Sequence, residues 1–403
     1  MPSLVDDRVD SPRSTESGGH GSSSMPPYAV IACSIVFFWS ISVRSLIFAV
    51  LPNMAAGLDL SSSAAGVVVS AMLMGYTAAS WSAGWLPGSR KTRILVGVLL
   101  SIPAAVLFSI APNYGLLLLS GVLLGAGLGV YLPLGLSLMV EVGNSTGRKG
   151  YYLAFHEASA TLATFGGSAV VALFLLWTDW RGAILVWTLV GVLAALAFGL
   201  GRDAGGDKTR HAAGAQIPLD FRIVLSVFVY GVGVLLVTGL ISLLPLIMVR
   251  AWGLGESEAA VILGYTRLAG FAGVVLVGMV ADRWGHCRVL VGLQLLGMVG
   301  CLAMSVGGFG LQFLVGTVVL AAGASGNIAL LPAATAAAFE PAQRERAMAI
   351  SNSMGGVIGM VGSPALFGVM MDAGYATGPI LFSAAAALLA ALATIRLYAH
   401  AKP

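Results

Sequence analysis

The sequence predicts an all-α membrane protein of twelve transmembrane helices, arranged as two pseudo-symmetric six-helix bundles. Three observations point there. Charged residues make up 9% of the 403-residue chain while 58% are hydrophobic, against about a quarter charged in a soluble domain. The charge-free intervals come in lengths of one or two bilayer crossings, each needing about 20 mostly apolar residues. Finally, two patterns of the first half return in the second: "GWLPGSRKTR" (84–93) as "GMVADRWGHCR" (278–288), and "GGSAVVALF" (166–174) as "VGSPALFGV" (361–369).

The elements follow in chain order. Residues 1–27 are polar, rich in Ser and Gly and without an apolar segment, so they read as a disordered cytoplasmic tail and not a secretory signal. Single spans fit 28–51 and 61–86. Residues 94–140 carry no charge and are broken by "APNYG", which makes two spans. Two more fit 150–176 and 182–201, completing an N-terminal bundle over 28–201. The stretch "RDAGGDKTRHAAGAQIPLD" (202–220) is the longest loop and reads as a cytoplasmic linker. The C-terminal bundle, 221–403, holds spans at 223–249 and 257–281. It continues with two in the charge-free interval 289–339, broken by "GGFG", and two at 347–371 and 377–399.

Orientation follows from the basic residues, which concentrate on the cytoplasmic side of membrane proteins. With both termini cytoplasmic, only Arg181 and Arg250 of the 21 Lys and Arg fall outside, and Arg44 and Arg267 fall within spans. A multi-pass protein of the cell membrane (inner or plasma) is expected. The net charge of +4 belongs to these loops and does not indicate a nucleic-acid partner. Cys33, Cys287 and Cys301 have neither metal-ligand spacing nor the even count of a disulfide framework. No cofactor is expected. There is no nucleophile–base set and no phosphate-binding loop, so an enzyme is not expected.

Six helices detected twice, both termini on one side, and G-x-x-x-D-R-x-G-x-x-R after an even-numbered span resemble the major facilitator superfamily of secondary transporters. The resemblance covers residues 28–399. Gly278, Asp282, Arg283, Gly285 and Arg288 supply the second copy of the loop motif. Gly278 lets two helices approach closely and Gly285 permits a tight turn, while Asp282 can accept from the positive end of a helix. The resemblance implies that this contact crosses the two halves and closes a cytoplasmic gate, with span five, beginning after Arg148 and Lys149, as partner. The first copy keeps Gly84, Arg90 and Arg93 but has Gly88 in place of the aspartate. Two signals of other branches are missing. Span four lacks an early arginine, and span five lacks the proline-containing pattern of drug antiporters.

Away from the span ends, three formal charges lie within the predicted spans: Arg44, Glu157 and Arg267. Ionisable groups at membrane depth mark substrate or ion pathways by default. Arg44 falls about 6 Å beyond the centre of its span at 1.5 Å per residue, with no acidic residue one turn away and only Ser40 at i−4. Its alternative is a guanidinium that snorkels to the interface. Arg267 lies nearer its centre, and its alternative is an internal ion pair with Glu157. The resemblance adds that anion-carrying relatives place an arginine on span eight. The two arginines and one carboxylate leave one positive charge unmatched, and an unmatched buried charge is expensive.

The expected site is therefore an anion site built on Arg44 and Arg267. An arriving anion competes for Arg267, and Glu157, without its counter-charge, takes a proton. An unperturbed imidazole changes charge near neutral pH, which makes His156 the second proton-coupling candidate, although neighbours on a helix point about 100° apart. Tyr131, Asn327, Asn352 and Trp39 are candidate lining groups, with Thr238 nearby; Asn352 stands in the second half where Glu157 stands in the first. For each of these, packing or an interhelical hydrogen bond is the competing reading.

The sequence thus predicts a proton-coupled transporter of a small organic or inorganic anion, of the mono- or dicarboxylate type, working by alternating access. A proton-driven efflux antiporter for drugs or metabolites is the alternative. Expected partners are the anionic substrate, protons and the bilayer, with the chain acting as a monomer.

Overall fold

The computed structural model describes residues 27–146, 149–201, 221–306, 308–340 and 343–399, and within its helices leaves aside the side chains of 27, 143–146, 149–151, 153–154, 157, 278–279, 282 and 345. Twelve helices follow one another: α1 (Pro27–Gly57), α2 (Ser62–Ser82), α3 (Arg90–Ile110), α4 (Tyr114–Gly129, continuing as Tyr131–Thr146), α5 (Lys149–Phe174) and α6 (Trp180–Leu200) form the first bundle. The second holds α7 (Phe221–Val234, Leu235–Leu240 and Ile241–Trp252), α8 (Glu256–Trp284), α9 (His286–Ser305), α10 (Leu311–Ala338), α11 (Arg344–Gly356, Val357–Gly362 and Ser363–Asp372) and α12 (Gly378–Ala399). Eleven are long and apolar enough to cross a membrane, and α5 contributes the apolar run Ala158–Phe174.

Local chemistry sets the ends. Ser61, Ser89, Asn113 and Asp179 each accept a hydrogen bond from a backbone N–H of the first turn they precede, meeting donors that a helix start leaves open. Glu258 reaches back to the Gly255 N–H at the start of α8. Gly253 (φ 68°) and Gly285 (φ 83°) end α7 and α8 in conformations that favour glycine. Gly285 is the whole connection between α8 and α9, as its place in the motif predicts; the first copy spreads over 83–89 instead.

Three helices are interrupted. α4 breaks at Val130, just before Pro133, whose missing N–H orphans a carbonyl one turn back. The hydroxyl of Ser80 in α2 donates to that carbonyl, Gly129 O, at 2.8 Å. α7 and α11 each widen into a π-helical turn, Leu235–Leu240 and Val357–Gly362, and the two turns pack against each other.

Small residues let the helices close on each other. A Cβ on Gly125 of α4 would lie 1.8 Å from the Met72 carbonyl of α2, and one on Gly273 of α8 would lie 2.3 Å from the Ala322 carbonyl of α10. These are equivalent seams of the two bundles. Across the junction α1 meets α7, α2 meets α11, and α5 meets α8.

Candidate functional site

Arg44 lies two residues past the midpoint of α1, closer to the centre than the sequence placed it. The reason is that α1 runs on to Gly57, so the midpoint moves outward. Its guanidinium sits over the Tyr76 ring of α2, 4.9 Å from the centroid, a cation–π contact that occupies the face of the group and leaves its N–H edges. Ser40 is turned elsewhere: its hydroxyl donates to Leu128 O of α4 at 3.1 Å.

Arg267, on α8, donates from Nη1 to the Val237 carbonyl in the π-helical turn of α7, 3.2 Å away. Its Nε is buried and has no partner among the described residues. Arg44 and Arg267 come from different bundles and lie within electrostatic reach of each other, so they repel. Among the described residues neither has an ion-pair partner; the salt bridge there joins Arg90 and Glu141 at 2.8 Å.

Glu157 lies on α5, the helix that packs against α8, but its side chain lies outside the described residues. His156 beside it is fully buried and turned into the first bundle. Its Nε2 is 2.9 Å from the Tyr131 hydroxyl, and Phe37 stacks on its ring at 4.1 Å. Tyr131 and His156 are thus brought together, next to the break in α4.

The other lining candidates are dispersed. Trp39 is buried within the first bundle, donating to Ser101 Oγ at 2.9 Å and packed against Gly191. Asn327 is fully buried on α10 facing Gly233 of α7, and neither of its amide atoms has a partner among the described residues. Asn352 is exposed on the first segment of α11.

At the motif loops, Arg93 donates to Gly84 O at 3.4 Å and Arg90 pairs with Glu141, so both brace the first bundle. Lys91 likewise donates to Gly199 O and Gly201 O at the end of α6. Gly88, standing where the aspartate is absent, takes φ 99°. Arg283 and Arg288 are exposed. Gly278 and Asp282 lie outside the described side chains, as does the start of α5, and with them the expected lock.

At the opposite end, distal to the motif loops, the bundles are clasped by residues the sequence reading passed over. The Asp372 carboxylate, closing α11, accepts from Ser62 N and Ser63 N at the start of α2, both at 2.8 Å. Arg250 donates to Leu60 O at 2.6 Å and to the Ser62 hydroxyl, and Asn53 donates to Glu256. A Cβ on Gly66 would lie 2.2 Å from Pro364 O, so the backbones touch. One signal was available: a carboxylate at the C-terminus of its own helix opposes that helix's dipole and needs a partner elsewhere. At the motif-loop end, by contrast, Tyr131–Thr146 of α4 and Arg344–Gly356 of α11 pack within their own bundles.

Comparison with known proteins agrees with this architecture. The family model described as Major Facilitator Superfamily matches residues 33–229 and 223–403. Among solved structures, a bacterial homologue of the human lysosomal transporter Spinster, inward-facing and occupied, is 14% identical with a TM-score of 0.67, covering 92% of this chain and 95% of that one. A nucleoside transporter is 13% identical with a TM-score of 0.75, over 92% of this chain and 100% of that one. A D-xylose–proton symporter is 13% identical with a TM-score of 0.74, over 91% and 96%. No curated protein sequence matches. With both bundles matched in sequence and the twelve-helix, two-half fold in place, the chain belongs to the Major Facilitator Superfamily and is a multi-pass membrane transporter, not an enzyme.

Proposed function

We propose that the protein is a secondary active transporter of a small anion, an organic mono- or dicarboxylate or an inorganic oxyanion, working by alternating access and coupled to protons. One observation carries the reading. Arg44 and Arg267, one from each bundle, repel each other across the junction and lack a described carboxylate partner. Two guanidiniums at membrane depth, without a carboxylate partner among the described residues, cost several kcal/mol, roughly 2.5–3.5 each at a helix centre on insertion scales. An anion held between them offsets that cost and bridges the bundles.

Glu157 gives the proton step its carrier. With an anion on Arg267 the carboxylate has no counter-charge, and in a low dielectric the neutral acid is favoured. Protonated Glu157 suits a dianion between the arginines, and ionised Glu157 a monoanion. His156, paired with Tyr131 one residue away, is the relay candidate. The basic loops support cytoplasmic termini in the cell membrane, which would make the clasped end the outer one and the motif-loop end the cytoplasmic one. The protein acts as a monomer on this reading.

The test is thermal unfolding of the purified protein against small carboxylates, oxyanions, neutral sugars and lipophilic cations, with Arg44→Gln and Arg267→Gln alongside. A compound at 100 times its Kd adds about 2.7 kcal/mol of apparent stability. Stabilisation of wild type by a carboxylate or oxyanion, lost in both variants, is the expected result. Stabilisation by lipophilic cations that persists in both variants would replace this reading with the efflux antiporter.

A further inference from the structure

We propose that the π-helical turn of α7 aims Arg267 at its substrate, and that it presents the Nε–Nη2 edge of the guanidinium to engage it. The inference rests on the anion reading above and adds the geometry of recognition.

Val237 lies inside the turn Leu235–Leu240. In an α-helix each carbonyl points along the axis to the N–H four residues on. A π-helical turn bonds five residues on, is wider, and redirects its carbonyls; such single turns recur at functional sites. Here one of those carbonyls accepts from Arg267 Nη1 at 3.2 Å. A guanidinium is planar, with five N–H groups in a fixed fork, so tying Nη1 fixes the direction of the rest. Nε is buried without a partner, and Nη2 has none among the described residues. The Nε–Nη2 edge can give two parallel bonds to one carboxylate or planar oxyanion. A halide can take both N–H groups only on one atom and at bent angles, so it gains less from this edge.

The turn is itself held in place. A Cβ on Gly239 would meet Ser363 Oγ at 1.8 Å and Gly359 O at 2.9 Å, in and next to the π-helical turn of α11. The two widened turns therefore lock each other, and Val237 sits on a fixed platform and not on a loop. The same α7 carries Arg250 of the distal clasp at its far end, so a rocking motion that opens the clasp also moves the carbonyl that orients Arg267.

The test replaces Thr238 by its α-hydroxy acid analogue through nonsense suppression. This converts the 237–238 peptide to an ester, weakens the Val237 carbonyl as an acceptor, and leaves the side chains of α7 in place. The Kd values of sodium oxalate, sodium acetate and sodium chloride are then compared in the full-length protein. The expected result is a rise of about tenfold for the two carboxylates, near the worth of one charge-assisted hydrogen bond, with the preference over chloride reduced. Val237→Ala, which keeps the carbonyl, should bind as wild type. Deletion of Thr238, which removes the extra residue of the turn, should behave like the ester, and the ester decides the matter if the deletion does not fold. An ester protein with unchanged affinities and anion order overturns the proposal while leaving the anion site intact. Arg267→Gln binding carboxylates as wild type does, or wild type binding none of these salts, overturns the anion reading and the proposal with it.

Discussion

Gly285 and Gly125 show two different reasons for a glycine, and they predict different costs. Gly285 has φ 83° and nothing within 4 Å of where a Cβ would stand. Gly285→Ala therefore pays only for conformation, about 2 kcal/mol for a backbone near a region that essentially only glycine adopts. Gly125 has helical backbone, but its Cβ would sit 1.8 Å from Met72 O. Gly125→Leu must drive α2 and α4 apart, at about 3 kcal/mol. Denaturation in micelles should rank the two in that order; equal losses would mean that the α2–α4 seam yields freely. At this scale Gly285, Arg44 and Arg267 were legible, the first from a spaced motif and the others because a charge in an apolar run is conspicuous. Trp39 was not: a tryptophan reads the same whether it walls a cavity or fills a bundle, and here its indole is spent on Ser101. Gly88 stands in the motif as a missing aspartate, yet its φ of 99° gives the glycine a conformational reason of its own.

The twelve helices were legible because charges and loop glycines delimit them, but the interruptions inside α4, α7 and α11 were not. Pro133, Pro245 and Pro364 lie shortly past those interruptions, yet Pro52, Pro103 and Pro332 lie in helices that stay α-helical. Proline frees a carbonyl in every case, and whether the helix breaks there depends on a neighbour that sequence order does not reveal, such as Ser80 reaching Gly129 O. The clasp was hidden for the same reason, since Asp372 and Ser62 are distant in the chain. Its carboxylate caps α2 with two backbone hydrogen bonds, an interaction that depends on charge at a helix N-terminus. Asp372→Asn keeps one acceptor and loses the charge. The expected loss is about 0.5–1 kcal/mol at this exposed site, a two- to fivefold shift toward separated distal ends. Spin labels at positions 59 and 374, one on each bundle, would read it as a gain in the longer of two distance populations. An unchanged distribution would assign closure to the Gly66–Pro364 backbone contact instead.

Over the whole molecule the two ends are unequal: the distal ends of α1, α2, α7, α8 and α11 are bonded across the junction, while at the motif-loop end the second part of α4 and the first part of α11 stay within their own bundles. On the alternating-access reading proposed above, a junction bonded at its distal end corresponds to one of the two states that the mechanism requires. The fold class was readable from composition and repeat, but this state was not, because sequence specifies both states and the balance between them is a small difference in contacts. The asymmetry can be frozen. Ala365 N donates to Ser70 Oγ across the bundles at 3.1 Å, so the two positions are in direct contact and suit a cross-link. Ser70→Cys with Ala365→Cys, in a background with Cys33, Cys287 and Cys301 replaced, should form a disulfide on oxidation. The oxidised protein should still show the thermal response to whichever anion stabilises wild type, because the cross-link ties a contact that is already formed and leaves Arg44 and Arg267 unaltered. It should carry out no exchange of that anion in proteoliposomes, and a reductant should restore exchange. Exchange at the wild-type rate with the disulfide formed would mean that substrate crosses without parting the distal ends, and the rocking of two bundles about a central site would be the wrong description of how this protein works.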